Sequence, residues 1–263
     1  MIPHVLSIAG SDPSAGAGVQ ADLKTFSALG VYGMTVITAL TAQNTRRVAA
    51  VHEVPHHFVM AQLEAISQDI RIDAIKIGMA GGPQTIDILI EFIQRFKPRN
   101  VVVDPVMVAQ SGDRLASDEG IRALRLLLPA ANIITPNIPE AETLLNSKFD
   151  GDMEDFTRRM MKELKVEAVF LKGGHGEGET SNDFYRDKHT TRLMEEERIK
   201  TKNNHGTGCT LSSAIAAYLA KGLPMVEACA AAKLYVAKAL RESDQLQIGS
   251  GAGPVHHFFA QWD

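Results

Sequence analysis

Cysteine is scarce in this sequence of 263 residues, which contains only Cys209 and Cys229. Two cysteines are too few for a disulfide framework, so we expect reduced thiols and a cytoplasmic protein. Cys229 shares an apolar helical stripe with Val226 and Val236, which predicts a position in the core. The nine histidines include two adjacent pairs, whose side chains diverge, and this pattern does not favour a zinc site.

Long apolar runs and a surplus of basic residues are also missing. No apolar stretch approaches the ~20 residues of a membrane span, and the first residues lack the basic segment of a signal peptide. The formal net charge of −4 gives no support for binding to nucleic acid or to an acidic membrane. The length and the hydrophobic content of 45% suit one globular domain, and we expect it to span residues 1–263.

Two common nucleotide-binding motifs are incomplete or absent. Gly16-Ala17-Gly18 follows an apolar run and precedes a helical pattern, as in an NAD-binding Rossmann dehydrogenase. That interpretation requires an acidic residue at the end of the next strand, and no Asp or Glu occurs from Ala28 to Ala50. The Gly-Lys-Ser/Thr of a P-loop does not occur either. We therefore disfavour the dehydrogenase and expect any nucleotide to be bound in another way.

Buried-strand patterns alternate with helical patterns along the chain. The predicted strands cover 5–9, 33–44, 74–79, 101–107, 133–137 and 168–172, and 183–199 predicts a polar β-hairpin or flap. The alternation predicts an α/β fold with a mostly parallel central sheet, helices on both faces and a small β flap. Ligands of such sheets bind beyond the carboxyl ends of the strands. Those ends carry Gly10, Gln43, Met79, Asp104, Asn137 and Lys172.

A glycine-rich turn precedes the helical pattern that starts near residue 207. Gly206 and Gly208 flank Thr207, so free backbone N–H groups and the positive end of the helix dipole share a small volume, which favours an anion. Cys209 falls in the first helical turn, where the thiolate is favoured, and this predicts a base or nucleophile. The alternative is a flexible helix start with a small buried cysteine.

Four charged residues near strand ends or helix starts complete a candidate site. Asp104 and Glu140 offer the oxygen ligands that suit Mg²⁺, and Lys172 is placed to stabilise a transferring phosphoryl group. Asp22 lies beside a buried helical stripe, which predicts contact with a ligand. The alternatives are a turn former for Asp104, a favourable helix-start charge for Glu140, a solvated Lys172 and a local cap for Asp22.

Seven segments together resemble one enzyme family. They are GSDPSAGAG at 10–18, ADLK at 21–24, LTAQN at 40–44, DPVM at 104–107, TPN at 135–137, KGGH at 172–175 and HGTGCT at 205–210. In combination they resemble the bacterial hydroxymethylpyrimidine/phosphomethylpyrimidine kinases of thiamine biosynthesis, in the ribokinase-like superfamily. The resemblance runs from about Val5 to Pro254. It implies two successive ATP-dependent phosphoryl transfers in one site, with Mg²⁺, to a small pyrimidine and then to its monophosphate.

The resemblance also implies a substrate pocket. Gln43 would bind the aminopyrimidine ring, because an amide both donates and accepts hydrogen bonds. Asp22, Gly10, Met79 and Val106 would complete the pocket. Relatives in the superfamily are often dimers, so the resemblance implies a homodimer by analogy.

The resemblance assigns further residues to phosphate and metal. Gly206, Thr207 and Gly208 would form the anion hole, and Cys209 stands where many relatives have an aspartate base. Asn137 and Glu140 match an Asn-x-x-Glu motif near metal and phosphates, and Lys172 would contact the ATP phosphates. Ala15 and Asn204 depart from the expected glycine and threonine, but neither departure removes a proposed chemical group.

Two further alternatives stay open beside the dehydrogenase. Some relatives with a Gly-Cys pair act on pyridoxal, so a pyridoxal kinase is the nearest alternative, although Ala42-Gln43-Asn44 favours the aminopyrimidine. A non-catalytic ligand-binding protein on a kinase-like fold is the other. The presence of Gln43, Lys172 and Cys209 argues against it.

Overall fold

The computed structural model describes residues 1–108, 112, 115–174 and 178–262. His175, the last residue of the KGGH segment, lies outside these ranges. The strands are β1 (His4–Ser11), β2 (Tyr32–Gln43), β3 (Val48–Glu53), β4 (Ala74–Ile77), β5 (Val101–Val103), β6 (Ile133–Ile134), β7 (Val169–Lys172), β8 (Thr180–Arg186) and β9 (Thr191–Glu197). The helices are α1 (Gly18–Ala28), α2 (His56–Ser67), α3 (Pro83–Phe96), α4 (Asp118–Leu127), α5 (Ile138–Leu145), α6 (Met153–Leu164), α7 (Thr207–Ala220) and α8 (Met225–Arg241).

The strands form one sheet in the order β3-β2-β1-β4-β5-β6-β7-β8-β9. The pairs from β2 through β1 and β4 to β7 are parallel, and the pairs β2–β3, β7–β8 and β8–β9 are antiparallel. The structure therefore confirms the predicted α/β class and the mostly parallel sheet. The carboxyl ends of the parallel strands meet along one edge, where the candidate site lies.

Alternate residues of the buried strands pack on opposite faces of the sheet. Leu6 and Ile8 of β1 belong to the core that includes residues of α2 to α6. Val5 belongs to the second core, with Phe26 of α1 and apolar residues of α7 and α8. Because consecutive side chains of a strand point to opposite faces, a nearly continuous apolar strand is covered by helices on both sides. Cys229 is fully buried in the second core, as predicted.

Two hairpins extend the edges of the sheet. The predicted hairpin at 183–199 forms β8 and β9, and β8 is hydrogen-bonded to β7, so this hairpin continues the sheet. The strand β3 was not predicted, because most of its residues are exposed and it has no buried apolar face. It pairs with the second half of β2, from Ala39 to Gln43. The β2–β3 hairpin therefore forms an arm, and Gln43 lies near its tip.

No helix in the described ranges is both long enough and apolar enough to cross a membrane.

Candidate active site

The start of α7 packs directly against the loop between β1 and α1. Gly206 has a left-handed backbone with φ of +80°, and a Cβ there would overlap the carbonyl oxygen of Gly16. A Cβ at Gly16 would in turn meet the His205 ring. Only glycine combines this backbone with such a close approach. The backbone amides of the α7 N-terminus therefore lie next to the β1–α1 loop, above the edge of the sheet.

Asp12 holds that loop in place. One carboxylate oxygen accepts hydrogen bonds from the Gly16 and Ala17 amides, at 3.2 and 2.9 Å, and lies 2.8 Å from His205 Nε2. Burial raises the pKa of Asp12, but these hydrogen bonds outweigh burial and the net pKa is lowered. His205 Nε2 also lies 3.3 Å from Gln43 Nε2. Asp12 and His205 thus connect the loop, the turn Gly206-Thr207-Gly208 (the anion turn) and the β2–β3 arm.

Asp12 and His205 occur within two of the motifs quoted above, but no role for either residue follows from the sequence alone. An Asp followed by small turn-forming residues is the available signal for a side chain that caps its own loop. Nothing in the sequence pairs that carboxylate with a histidine 193 positions away.

Cys209 lies half-buried in the first turn of α7, as predicted, but its thiol is not acidified. Burial raises the pKa of the Cys209 thiol to about 11, and the charges of Asp22 and Asp104 add to this effect. The ammonium of Lys76 and a hydrogen bond from the Gly18 backbone act in the opposite direction without cancelling it. The expectation of a favoured thiolate is therefore wrong for this arrangement, since desolvation outweighs the helix start.

Lys172 joins the ends of three elements beside the anion turn. Its Nζ at the end of β7 donates to Asp104 Oδ1 at 2.8 Å and lies 3.8 Å from Glu140 Oε2. A Cβ on Gly208 would lie 3.3 Å from Lys172 Nζ and 3.4 Å from Asp104 Oδ2. Burial opposes the charge, but the two carboxylates raise the pKa of Lys172 to about 12. The cation, the carboxylates and the anion turn predicted from sequence are thus brought together.

Asn137 and Glu140 form a capping box at the start of α5. Asn137 Oδ1 accepts from the Glu140 amide, and Glu140 Oε2 accepts from the Asn137 amide, each at 2.8 Å. Burial and the nearby charge of Asp104 raise the pKa of Glu140 to about 7, although Lys172 partly offsets this. The Asn-x-x-Glu pattern therefore has a structural function as a cap, and it holds the second carboxylate beside the first.

The two carboxylates fit a Mg²⁺ ion of the kind that phosphates help to hold. In the described residues no three His, Cys, Asp or Glu side chains group to hold a metal. Mg²⁺ often takes only one or two protein carboxylates together with phosphate oxygens, so Asp104 and Glu140 are a sufficient donor set. The raised pKa of Glu140 reflects burial first and the nearby charge of Asp104 second, and a bound cation would offset both.

The structure corrects the prediction that Asp22 contacts a ligand. Asp22 is fully buried, and its carboxylate pairs with Lys76 Nζ at 2.9 Å. It also accepts from Ser7 at 2.5 Å and from Ser213 at 2.7 Å. Its oxygens are thus occupied by protein donors, and Asp22 supports the floor of the site beneath α7. Sequence analysis missed Lys76, because it occupies a position that would normally be apolar in a buried strand.

The remaining predicted substrate residues lie around the same edge of the sheet. Gln43 is half-buried and lines a cavity of about 290 Å³ with His205 and the tip of the β2–β3 arm. Gly10 allows close packing of Met79, whose Cε would lie 2.8 Å from a Cβ on that glycine. Val106 is half-buried, two residues after Asp104.

The two departures from the family pattern differ in their structural effect. Ala15 adopts a left-handed backbone with φ of 62°, which explains why glycine suits this position. The carbonyl oxygen of Asn204 accepts from the Thr207 amide at 3.4 Å, a backbone contact that does not depend on the side chain.

Comparison with known proteins gives a consistent assignment. The family model for phosphomethylpyrimidine kinase matches residues 12–256. The chain is 50% identical over 265 residues to a hydroxymethylpyrimidine/phosphomethylpyrimidine kinase from Rhizobium meliloti, covering 100% of this chain and 99% of that one.

Two solved structures share the fold over most of their length. An ADP complex of Bacillus subtilis pyridoxal kinase superposes with a TM-score of 0.91 at 36% identity, covering 100% of both chains. A phosphomethylpyrimidine kinase from Clostridium difficile gives a TM-score of 0.81 at 43% identity, covering 91% of this chain and 100% of that one. These similarities confirm the ribokinase-like fold and the kinase class. The chain therefore belongs to the phosphomethylpyrimidine kinase family.

Proposed function

We propose that this protein transfers a phosphoryl group from ATP to the hydroxymethyl group of 4-amino-5-hydroxymethyl-2-methylpyrimidine, and then a second to the monophosphate formed. One observation carries the proposal. The amides at the start of α7, the sulfur of Cys209 and the ion pair of Lys172 with Asp104 meet at one edge of the sheet. Phosphoryl transfer requires this combination of an anion cradle, a positioned cation and a group near the acceptor hydroxyl.

The backbone of Gly206, Thr207 and Gly208 is proposed to hold the migrating phosphoryl group. Helix N-termini bind anions through their unpaired N–H groups, and donors fixed in advance cost no reorganisation during the reaction. Lys172 lies beside Gly208 and adds positive charge at the same point. Asn137 supports this edge through the α5 cap, while Asp104 and Glu140 would hold Mg²⁺, which neutralises phosphate charge when bound.

Cys209 is proposed to accept the proton of the acceptor hydroxyl. Because the pKa of the thiol is raised to about 11, only a small fraction is ionised at neutral pH. The thiolate of a thiol with a raised pKa is a strong base, so it holds the hydroxyl proton tightly after taking it up. A loose phosphoryl-transfer transition state requires little removal of that proton at an early stage. In this step the small ionised fraction of Cys209 takes the acceptor hydroxyl's proton onto Sγ. The new O–P bond to the pyrimidine forms as the bond from the γ-phosphorus to ADP breaks, and ADP leaves.

Gln43 is proposed to select the pyrimidine. Its amide offers both a donor and acceptors for the ring nitrogens and amino group, and its position is supported by His205. Gly10, Met79 and Val106 would supply the rest of the pocket wall.

A pyridoxal kinase is the second candidate, because the pyridoxal kinase of Bacillus subtilis superposes with a TM-score of 0.91. The test compares kcat/KM for the aminopyrimidine and for pyridoxal at saturating Mg-ATP. We expect a clear preference for the aminopyrimidine and one phosphate added per first turnover. A preference for pyridoxal would replace our substrate, and failure to consume ATP with either would favour a non-catalytic protein.

We also propose that residues 1–263 act as a single domain and that the protein is a cytoplasmic homodimer. Leu40 and Val51 are exposed apolar residues on the β2–β3 arm and would be suited to such a contact. Light scattering is expected to give twice the 28.5 kDa mass of one chain.

A further inference from the structure

We propose that a second cavity, behind the β1–α1 loop, binds a planar aromatic ring that carries an anionic group. The cavity has a volume of about 260 Å³ and is enclosed by that loop, α1 and the segment 246–262. It shares no lining residue with the cavity around Gln43. This inference does not depend on the proposed reaction.

One wall of the cavity is aromatic and flat. The rings of Phe258 and Trp262 stack with centroids 4.9 Å apart and an angle of 16° between their planes. The His256 ring lies 5.4 Å from Trp262 with its plane inclined by 59°, so the flat part of the wall is the stacked pair of Phe258 and Trp262. Trp262 is 56% exposed although it is a large aromatic residue. Planar rings gain by stacking on such surfaces, so the wall favours a flat aromatic ligand.

The charge of the cavity is positive. Among the described residues that line it, Lys24 is the one lysine or arginine, and none is an aspartate or glutamate. His257 stays neutral, because burial and the charges of Lys24 and His256 lower its pKa to about 3. Lys24 Nζ donates to the Ala15 carbonyl at 2.8 Å, which uses one of the three donors of an ammonium group.

The surroundings leave Lys24 and His256 incompletely satisfied. Lys24 is half-buried, and burial lowers its pKa although the charge of Asp12 opposes this, so its ammonium is partly desolvated. His256 is 2% exposed, and its Nδ1 has no hydrogen-bond partner within the described part of the chain. Unpartnered buried polar atoms are rare in folded proteins and call for an explanation. A ligand with an anionic group would pair with Lys24 and give His256 a polar neighbour.

The size of the cavity limits the ligand. Pockets for small molecules commonly measure ~300–1,000 Å³, so about 260 Å³ suits one ring or two fused rings. The ligand class is thus one aromatic ring, or two fused rings, with one sulfonate, carboxylate or phosphate group. The loop that covers it also carries Asp12, so the ligand would lie next to the support of the candidate active site.

The test uses the fluorescence of Trp262, the one tryptophan in the sequence. Toluene-4-sulfonate is titrated into the full-length protein, with toluene-4-sulfonamide as the neutral matched probe and methanesulfonate as the probe without a ring. We expect a saturable change with the sulfonate, at least tenfold weaker binding of the sulfonamide, and no change with methanesulfonate. The change should persist when ATP and the aminopyrimidine are present. Equal affinity for the charged and neutral rings, or no saturable change, would overturn the proposal.

A variant of Lys24 tests whether its ammonium group binds the anionic group of the ligand. Lys24→Met removes the ammonium group and keeps an unbranched side chain, so binding of toluene-4-sulfonate should weaken at least tenfold while the sulfonamide is unaffected. Lys188→Met, at an exposed position in the β8–β9 turn, is the matched control and should leave both affinities unchanged. Unaltered sulfonate binding by Lys24→Met would contradict the assignment. If that variant fails to fold, the comparison of the three probes on the unaltered protein still decides the question.

Discussion

The sulfur of Cys209 is the group on which the proposed proton transfer depends. If the thiolate is required, kcat/KM should rise about tenfold per pH unit between pH 8 and pH 10, because the pKa of the thiol is raised to about 11. Cys209→Ala should lower kcat by ~10²–10⁴-fold, change KM for the pyrimidine little, and abolish the slope. Steady-state kinetics across this pH range provide the measurement. Cys229→Ala, which alters the other cysteine in the core, is the control and should keep the wild-type slope. If Cys209→Ala keeps the wild-type pH profile, Cys209 is not the base.

Glu140 predicts a dependence of stability on pH. Its pKa is about 7 in the folded protein, against 4.5 for an unperturbed glutamate, so the folded state binds more protons between these limits. The free energy of unfolding should therefore fall by roughly 3 kcal/mol as pH rises from 4.5 to 7, through this group alone. Glu140→Gln keeps the helix cap, since glutamine also serves in a capping box, and should lack that fall.

Urea unfolding at pH 5 and pH 8 measures the Glu140 effect. Relative to Glu140→Gln, the wild type should be less stable at pH 8 than at pH 5. Glu91→Gln, at an exposed site on α3, should show no such difference. Parallel curves for wild type and Glu140→Gln would contradict the assignment of the raised pKa.

Single residues also show how far the sequence could lead. Asp104 and Lys172 were predictable as polar residues at the ends of apolar strands, and Glu140 and Cys209 as residues of helix starts at the same edge of the sheet. The raised pKa of Cys209 was not predictable, since it depends on burial and on charges from other strands. The role of Asp22 was misjudged for the same reason, because its partner Lys76 lies on a strand 54 positions away.

At the level of elements, the turn before α7 requires glycine at position 206 for two reasons, the left-handed backbone and the close approach of the Gly16 carbonyl oxygen. Gly206→Ala should destabilise the protein by more than the roughly 1–2 kcal/mol of a left-handed alanine, because the Cβ also overlaps the Gly16 carbonyl. It should also lower kcat at least ~10²-fold, since the anion-binding amides shift. Thermal unfolding and kinetics measure both effects.

Gly222 provides the matched control for Gly206. It has φ of +91° near the other end of α7, and a Cβ there meets no atom within 4 Å. Gly222→Ala should therefore lower the free energy of unfolding only by the strain of a left-handed alanine, and it should leave kcat unchanged. If the two variants behave alike, close packing of the turn on the β1–α1 loop is not what fixes the anion site.

The elements themselves were largely predictable from hydrophobic periodicity. Buried parallel strands have continuous apolar runs, so the six predicted strands coincide with β1, β2, β4, β5, β6 and β7, and the helical pattern predicted near residue 207 is the start of α7. The exception, β3, has exposed residues and is a strand because β2 extends beyond the sheet and pairs with it. Such pairing is a tertiary effect that local pattern does not encode.

Across the whole molecule, the buried pair of Lys76 and Asp22 ties together β4, α1, β1 and α7. Removing one partner leaves an unpaired buried charge, so Lys76→Met should lower the free energy of unfolding by ~3–5 kcal/mol. The double variant Asp22→Asn with Lys76→Met should cost clearly less than the sum of the two single variants. Denaturant unfolding of the four proteins measures the coupling.

The exposed ion pair of Arg192 and Glu227, at 3.1 Å, is the control for the buried pair. Arg192→Met should cost only ~0–1 kcal/mol, because water solvates both partners. If the losses in free energy of unfolding of the Asp22 and Lys76 single variants add up to that of the double variant, the buried pair does not tie these four elements together.

The most direct test of the central claim follows the phosphorus atoms by ³¹P NMR while the protein, Mg-ATP and the hydroxymethyl aminopyrimidine react. We expect a pyrimidine monophosphate signal first, then two coupled resonances of the diphosphate, with both steps slowed together by Cys209→Ala. Phosphate that never appears on the pyrimidine, or a Cys209→Ala time course that matches the wild type, would contradict it.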